Sequence, residues 1–363
     1  MIQPSLTGAT SLPTRRDLLA GLALGAASFG IPGARAQAPA DGSAHARDWD
    51  WLVGTWDVWH RRLKERLVGD TRWEEFTGKS VFWRTLGGLG NVDDNIVAIP
   101  GGTYRGLSLR AFDPATGKWS IWWLDGRDPT HLEPPVSGRV EGDTGTFLGN
   151  DTLRGQPIIA RFRWLDIHSA RPHWEQAFSP DQGKSWEVNW VNFFTRTAAE
   201  AVPMPRLESA PHDWDFLAGS WSVHHRRLKH RLVGSTEWEE FGGTLVNWPV
   251  LGGYGNVGDN VFDRPDGTRR GIGLRAYDPA TRQWNSWWLD GSAPAEIGAP
   301  ARGGFTGSTG LLLSDDVQGG RPVKTRISWS RITPRSARWE QAMSTDSGQT
   351  WETNWVSDFT RRA

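Results

Sequence analysis

The sequence predicts an all-β protein: two tandem antiparallel barrels of roughly ten strands each. Three observations lead there. Beyond its N-terminal segment the chain is one unit written twice, without a gap, at an offset of 165 residues (213 − 48). Within each unit, short aromatic or β-branched runs alternate with glycine-rich and Asp-Pro turns, and no long helical apolar period appears. The composition agrees: 24 Trp, 43 Gly and 22 Pro stand against 3 Tyr and 3 Met in 363 residues, which suits a turn-rich sheet protein with an indole-lined interior. Ten antiparallel strands leave exposed edges unless the sheet closes, so a barrel is the economical form.

The first element is an address. Thr14-Arg15-Arg16-Asp17-Leu18-Leu19 precedes an apolar stretch from Leu18 to Ile31, and Ala34-Arg35-Ala36 supplies small residues for cleavage. This resembles a Tat signal peptide over residues 1–36, cut before Gln37, and implies a periplasmic or secreted protein exported by the twin-arginine pathway. No later segment is long and apolar enough to suggest a transmembrane span.

The duplicated unit follows. Asp48-Trp49-Asp50-Trp51-Leu52 returns as Asp213-Trp214-Asp215-Phe216-Leu217, and Trp73-Glu74-Glu75-Phe76 as Trp238-Glu239-Glu240-Phe241. Phe112-Asp113-Pro114-Ala115-Thr116 returns as Tyr277-Asp278-Pro279-Ala280-Thr281, and Phe194-Thr195-Arg196 as Phe359-Thr360-Arg361. The boundaries are therefore 48–196 for the first unit, 197–212 for a linker without apolar period, and 213–361 for the second. Each unit carries its own first and last strand, so each is expected to fold alone.

Composition removes several functions. Lys+Arg (41) balances Asp+Glu (41), which lacks the basic excess that binding to nucleic acid requires. Without cysteine there are no disulfides, thiolate metal sites or thiol nucleophiles. No histidine spacing suggests a metal, and no Gly-x-Ser-x-Gly or phosphate-binding loop occurs. Asn91, Asp94 and Asn95, repeated as Asn256, Asp259 and Asn260, carry only fragments of a calcium loop and read as Asx turns. Ser179-Pro180-Asp181-Gln182-Gly183-Lys184-Ser185-Trp186 and its repeat at 344–351 are similar to the Asp-box of sialidase-like propellers. Two copies so far apart make self-contained hairpins, not propeller blades.

Gly54-Thr55-Trp56 and Gly219-Ser220-Trp221, on the first strand of each unit, resemble the Gly-x-Trp of lipocalin-like (calycin) barrels. Arg196 and Arg361, on the last strands, match the arginine that in those barrels packs over this tryptophan as a cation–π seal. The units also resemble uncharacterised bacterial families of this barrel, some near the haem-binding nitrobindins.

If Trp56 points inward, as the resemblance implies, alternation carries His60 and Arg62 into the cavity, and His225 and Arg227 in the second unit. The competing reading is a bulged strand whose Arg61 to Arg66 stretch forms a solvated hairpin end. Glu74 and Glu75 are adjacent, so only one can face inward. We take Glu75 and Glu240 as the inward pair, in a structural ion pair rather than as catalysts. Trp122-Trp123 and Trp287-Trp288 put one indole on each face, with Trp123 and Trp288 as the cavity wall and core filling as the alternative. The candidate ligand-binding residues are thus His60, Arg62, Glu75, Trp123, His225, Arg227, Glu240 and Trp288, with His60 expected to titrate between about pH 5 and 8.

The function expected is an exported, non-catalytic binding protein for a small hydrophobic or aromatic ligand with an anionic head group. No cofactor or metal is expected. Two rivals stand beside it: an enzyme on an apolar substrate, of hydratase or isomerase type, with a cavity His or carboxylate as general acid–base, and a haem barrel with a cavity His as axial ligand.

Overall fold

The structure, a computed structural model, describes residues 42–362. The twin-arginine segment lies outside the described residues. Both repeats form closed, ten-stranded antiparallel barrels. The first comprises β1 (Gly54–Leu63), β2 (Trp73–Thr85), β3 (Gly90–Ile99), β4 (Gly102–Asp113), β5 (Lys118–Asp125), β6 (Val136–Glu141), β7 (Thr144–Leu153), β8 (Gln156–Leu165), β9 (His173–Ser179) and β10 (Glu187–Ala198). The second comprises β11 (Gly219–Leu228), β12 (Trp238–Val250), β13 (Gly255–Arg264), β14 (Gly267–Asp278), β15 (Gln283–Asp290), β16 (Ala301–Thr306), β17 (Thr309–Gln318), β18 (Arg321–Ser330), β19 (Ser336–Ser344) and β20 (Glu352–Arg361). Each strand pairs with its sequence neighbour, and β1 and β11 also pair with β10 and β20, so neither sheet has a free edge. Among the described residues no helix is long and apolar enough to cross a membrane.

One end of each barrel is sealed by aromatic packing. Trp49, Leu52, Trp56, Trp119, Phe147, Trp164 and Phe194 are buried together in the first barrel. Trp56 Nε1 donates to the Leu52 carbonyl at 2.8 Å, and Trp221 Nε1 does the same to Leu217. The Arg196 guanidinium lies 4.0 Å over the Trp56 ring and Arg361 lies 4.3 Å over Trp221. Arg196 also donates to the carbonyls of Val53 and Trp51. The arginine expected on each last strand therefore caps the tryptophan expected on the first.

The barrels share a second core, which the repeat alone did not suggest. Val92, Leu107, Leu109, Trp122 and Leu124 project outward from β3, β4 and β5 and are buried with Val257, Ile272, Leu274, Trp287 and Leu289 of the other barrel. The contact is reciprocal. Leu251 N–H donates to Asp94 Oδ1 at 3.0 Å, and Leu86 N–H donates to Asp259 Oδ1 at 3.4 Å. Leu86 and Leu251 reach across because each adopts a left-handed backbone, with φ of 52° and 54°, a conformation that costs a branched residue free energy unless its surroundings hold it. The halves therefore do not have wholly separate cores. One expectation fails here: Asn91, Asp94 and Asn95 lie on strand β3 instead of in an Asx turn. The linker region is also engaged, since Leu207 N–H donates to Gly252 O at 2.8 Å.

The Asp-box-like segments form the self-contained turns expected of them. Ser185 N–H donates to Asp181 Oδ1, Gly183 N–H to Ser179 Oγ, and Trp186 Nε1 to the Gly183 carbonyl.

Candidate functional site

From Trp56 strand β1 pairs with β2 and β10 in unbroken register through Arg62, the β1–β10 irregularity lying earlier, between Thr55 and Trp56. His60 and Arg62 therefore face inward with Trp56 and Val58, at the barrel end opposite the Arg196 seal. Across the ladder His60 sits beside Phe76 and Arg62 beside Glu74. The His60 ring stacks on Phe76 at 4.8 Å and is 5% exposed. Arg62 lies over Phe76 (5.4 Å) and Trp190 (5.1 Å) and pairs with Glu74. The second barrel repeats this with His225 on Phe241 at 4.9 Å, Arg227 over Trp355 at 5.4 Å and Glu239 as the carboxylate.

Glu75 and Glu240 do not join this group. Their side chains are 55% and 57% exposed, on the outer face, beside Arg61 and Arg226. Glu74 and Glu239 hold the inward places instead. Strand alternation permits either parity, and the length of the 64–72 connection selects this one. Trp123 does face inward, packed with Phe76, Val97 and Tyr104. Trp288 faces the same way but is 44% exposed. Gly106 and Gly271 make room for these rings, since a Cβ there would meet the indoles at 2.3 and 2.2 Å.

The two histidines are enclosed, at 5% and 4% exposure. His60 Nδ1 lies 2.6 Å from Asn192 Oδ1 and 3.3 Å from Trp190 Nε1, and its Nε2 points at the β2 backbone, 2.7 Å from where a Cβ on Gly78 would stand. His225 is flanked by Phe241 and Phe262, with Nε2 2.9 Å from the corresponding point on Gly243. Burial lowers the two pKa values to about 4 and about 3, so both rings stay neutral across the pH 5–8 window in which His60 was expected to titrate. A haem iron does not fit either ring, because no face beside Nε2 is open to a macrocycle.

Guanidinium groups dominate the rim of barrel 2. The connection after β11 is pinned where Leu232 N–H donates to Glu352 Oε1 at 2.8 Å. This sets Arg231 5.9 Å from the Trp355 ring, beside Arg227, while Arg264 lies over Phe241 at 5.7 Å. Glu239 is 3.3 Å from both Arg227 and Arg264. Burial and the mutual repulsion of neighbouring guanidiniums lower the pKa of Arg227 and Arg231. Barrel 1 keeps Arg62 and Arg66 but has Ile99 at the place of Arg264. It also places Glu133 and Asp151 beside Trp123, lining a cleft of about 20 Å³, room for about one water.

Sequence reading passed over one buried charge. Arg110, 3% exposed inside barrel 1, donates to Asn91 Oδ1 at 2.9 Å and pairs with Asp93 at 2.8 Å. Its signal was an arginine in an apolar strand, Leu107-Ser108-Leu109-Arg110-Ala111, with the polar residues facing in and the leucines facing the other barrel. Among the described residues no cluster of His, Asp and Glu is arranged to hold a metal.

No protein family and no curated protein matches the chain. Among solved structures it is similar to an S-type phycobiliprotein lyase, CpeS, from Guillardia theta, at 12% identity and a TM-score of 0.30, covering 41% of this chain and 90% of that one. It is also similar to a protein of unknown function of the DUF3598 family from Nostoc punctiforme, at 10% identity and a TM-score of 0.24, covering 88% of this chain and 99% of that one. Likeness at this level assigns no activity.

Proposed function

We propose that this is an exported, non-catalytic binding protein whose ligand is a small hydrophobic or aromatic molecule with an anionic head group. The carrying observation is the rim of barrel 2, where Arg227, Arg231 and Arg264 gather beside Trp355, Phe241 and Phe262, with Glu239 3.3 Å from Arg227 and Arg264 and Asp266 3.2 Å from Arg264. Guanidiniums at an aromatic rim recognise a carboxylate or phosphate through charge-assisted hydrogen bonds while the rings take the apolar body. Arg62 and Arg66 offer a weaker version in barrel 1. Export rests on the twin-arginine segment of the sequence.

The test is quenching of tryptophan fluorescence by an aromatic or fatty acid and by its methyl ester. The acid should bind more tightly, and Arg227→Ala should weaken it by roughly tenfold, the loss of one charge-assisted contact. Equal affinity for acid and ester, unaffected by Arg227→Ala and Arg62→Ala, would overturn the reading.

A further inference from the structure

We propose that the interior of barrel 2 binds a small carboxylate on Arg275, at a guanidinium whose built-in counter-charge the second repeat has lost. The site uses none of the rim residues above and stands independently of them.

The two repeats act as each other's control. In barrel 1 the Arg110 charge is answered within the chain by Asp93, whose other oxygen accepts from Ser108 N–H at 2.6 Å. The 165-residue offset puts Arg275 at the same inward place. It donates to Asn256 Oδ1 at 2.8 Å and lies 4.3 Å from the Trp214 ring and 6.0 Å from Trp329. Asp93, however, is replaced by Gly258, Ser108 by Gly273, and Phe82 by Asn247. Among the described residues no carboxylate stands within salt-bridge distance of Arg275, whereas Arg110 has one at 2.8 Å. Burial lowers the Arg275 pKa to about 10, which still leaves it protonated at neutral pH.

Access differs in the same direction. Arg110 is sealed at 3% exposure, whereas Arg275 keeps part of its surface open although it lies inside the barrel. Buried polar atoms without partners lie nearby: Asn247 Oδ1, where barrel 1 has the Phe82 ring, and Asn256 Nδ2, whose counterpart Asn91 Nδ2 is likewise unpartnered in barrel 1. A cleft of about 200 Å³ is lined by Asn256 and Trp214, the groups that Arg275 meets, and by Asn247, Arg206 and Asp215, the last two paired with each other at 2.9 Å.

A guanidinium inside the barrel that meets an amide oxygen and two indoles but no carboxylate costs folding free energy, and a bound anion offsets that cost. A planar fork of donors selects a planar oxyanion. The Asp93 side chain of barrel 1 is in effect such a ligand on a tether, so acetate is the minimal probe and benzoate tests tolerance of the indole walls. Restoring the tether needs two changes, because a Cβ on Gly258 would lie 2.9 Å from Leu245 Cδ1, where barrel 1 has Ser80.

The experiment uses the intact protein, titrated with acetate and benzoate and, as neutral isosteres, acetamide and benzamide at equal ionic strength. Thermal unfolding and tryptophan emission are read. The carboxylates should raise the melting temperature and perturb emission saturably, and the amides should not. Arg275→Met should weaken the response by at least roughly tenfold. So should the paired change Leu245→Ser with Gly258→Asp, which supplies an internal carboxylate in the barrel 1 arrangement and keeps the test valid if Arg275→Met fails to fold. The control Arg321→Ala, which removes an exposed charge at the start of β18, should leave the response intact. No saturable response, equal response to the amides, persistence in the paired variant, or loss with Arg321→Ala would each overturn the proposal.

Discussion

Dividing the chain between residues 198 and 199 exposes the outward faces of β3, β4 and β5 and their counterparts in the second barrel. Leu107, Leu109 and Leu124, at 0–1% exposure, face Ile272, Leu274 and Leu289, also at 0–1%, with Trp122 and Trp287 at 3% beside them. Full burial of one such side chain contributes about 1.5–3 kcal/mol. Discounted for the surface each barrel already covers by itself, the interface contributes on the order of 10 kcal/mol, comparable with the whole stability of a domain. Residues 37–198 and 199–363, expressed separately, should therefore aggregate or bind a dye for apolar surface, and mixed after refolding they should form a one-to-one complex. Analytical ultracentrifugation with dye fluorescence reads this. Two soluble, monomeric, dye-silent halves that ignore each other would refute the shared core.

Arg196→Ala removes the cation over Trp56 and two donors to backbone carbonyls; because the site is partly exposed, the expected loss is about 2 kcal/mol in urea melts, and an unchanged midpoint would show that the seal contributes nothing. His60 and His225, lowered from 6.5 to about 4 and about 3, contribute stability that is full above pH 6.5 and is withdrawn as the pH falls through 4, on the order of 3 kcal/mol each. Burial raises Asp94 and Asp259 from 3.8 to about 7 and about 6, so their contribution is full below pH 3.8 and lost as the pH rises through 7. The trends oppose each other between pH 4 and 6.5. Asp94→Asn with Asp259→Asn should therefore make the protein lose stability more steeply on acidification, and an identical profile in that variant would exclude the carboxyls from the balance.

The repeat and the Gly-x-Trp and Arg pairing made closure legible, because both ends of one ladder, Trp56 on β1 and Arg196 on β10, were marked in the sequence. The parity of β2 was not. Trp73-Glu74-Glu75-Phe76 alternates equally well in either register, and only the nine-residue connection from 64 to 72 decides that Glu74 meets Arg62. The joint between barrels was hidden for a different reason. In β4 the usual alternation is inverted, with Ser108 and Arg110 inside and Leu107 and Leu109 outside, which reads as an ordinary half-buried strand until its outer face has a partner. Arg275 needed both copies, since only comparison with Arg110 and Asp93 shows that a counter-charge has gone.

Mass spectrometry of small molecules released from protein purified from its native host tests the central claim most directly, because it asks what the barrels hold without choosing a probe. The account predicts an apolar or aromatic acid, retained by the native chain and depleted when Arg227 and Arg275 are replaced. Recovery of a neutral or cationic compound, or of an acid retained equally by those variants, would contradict it.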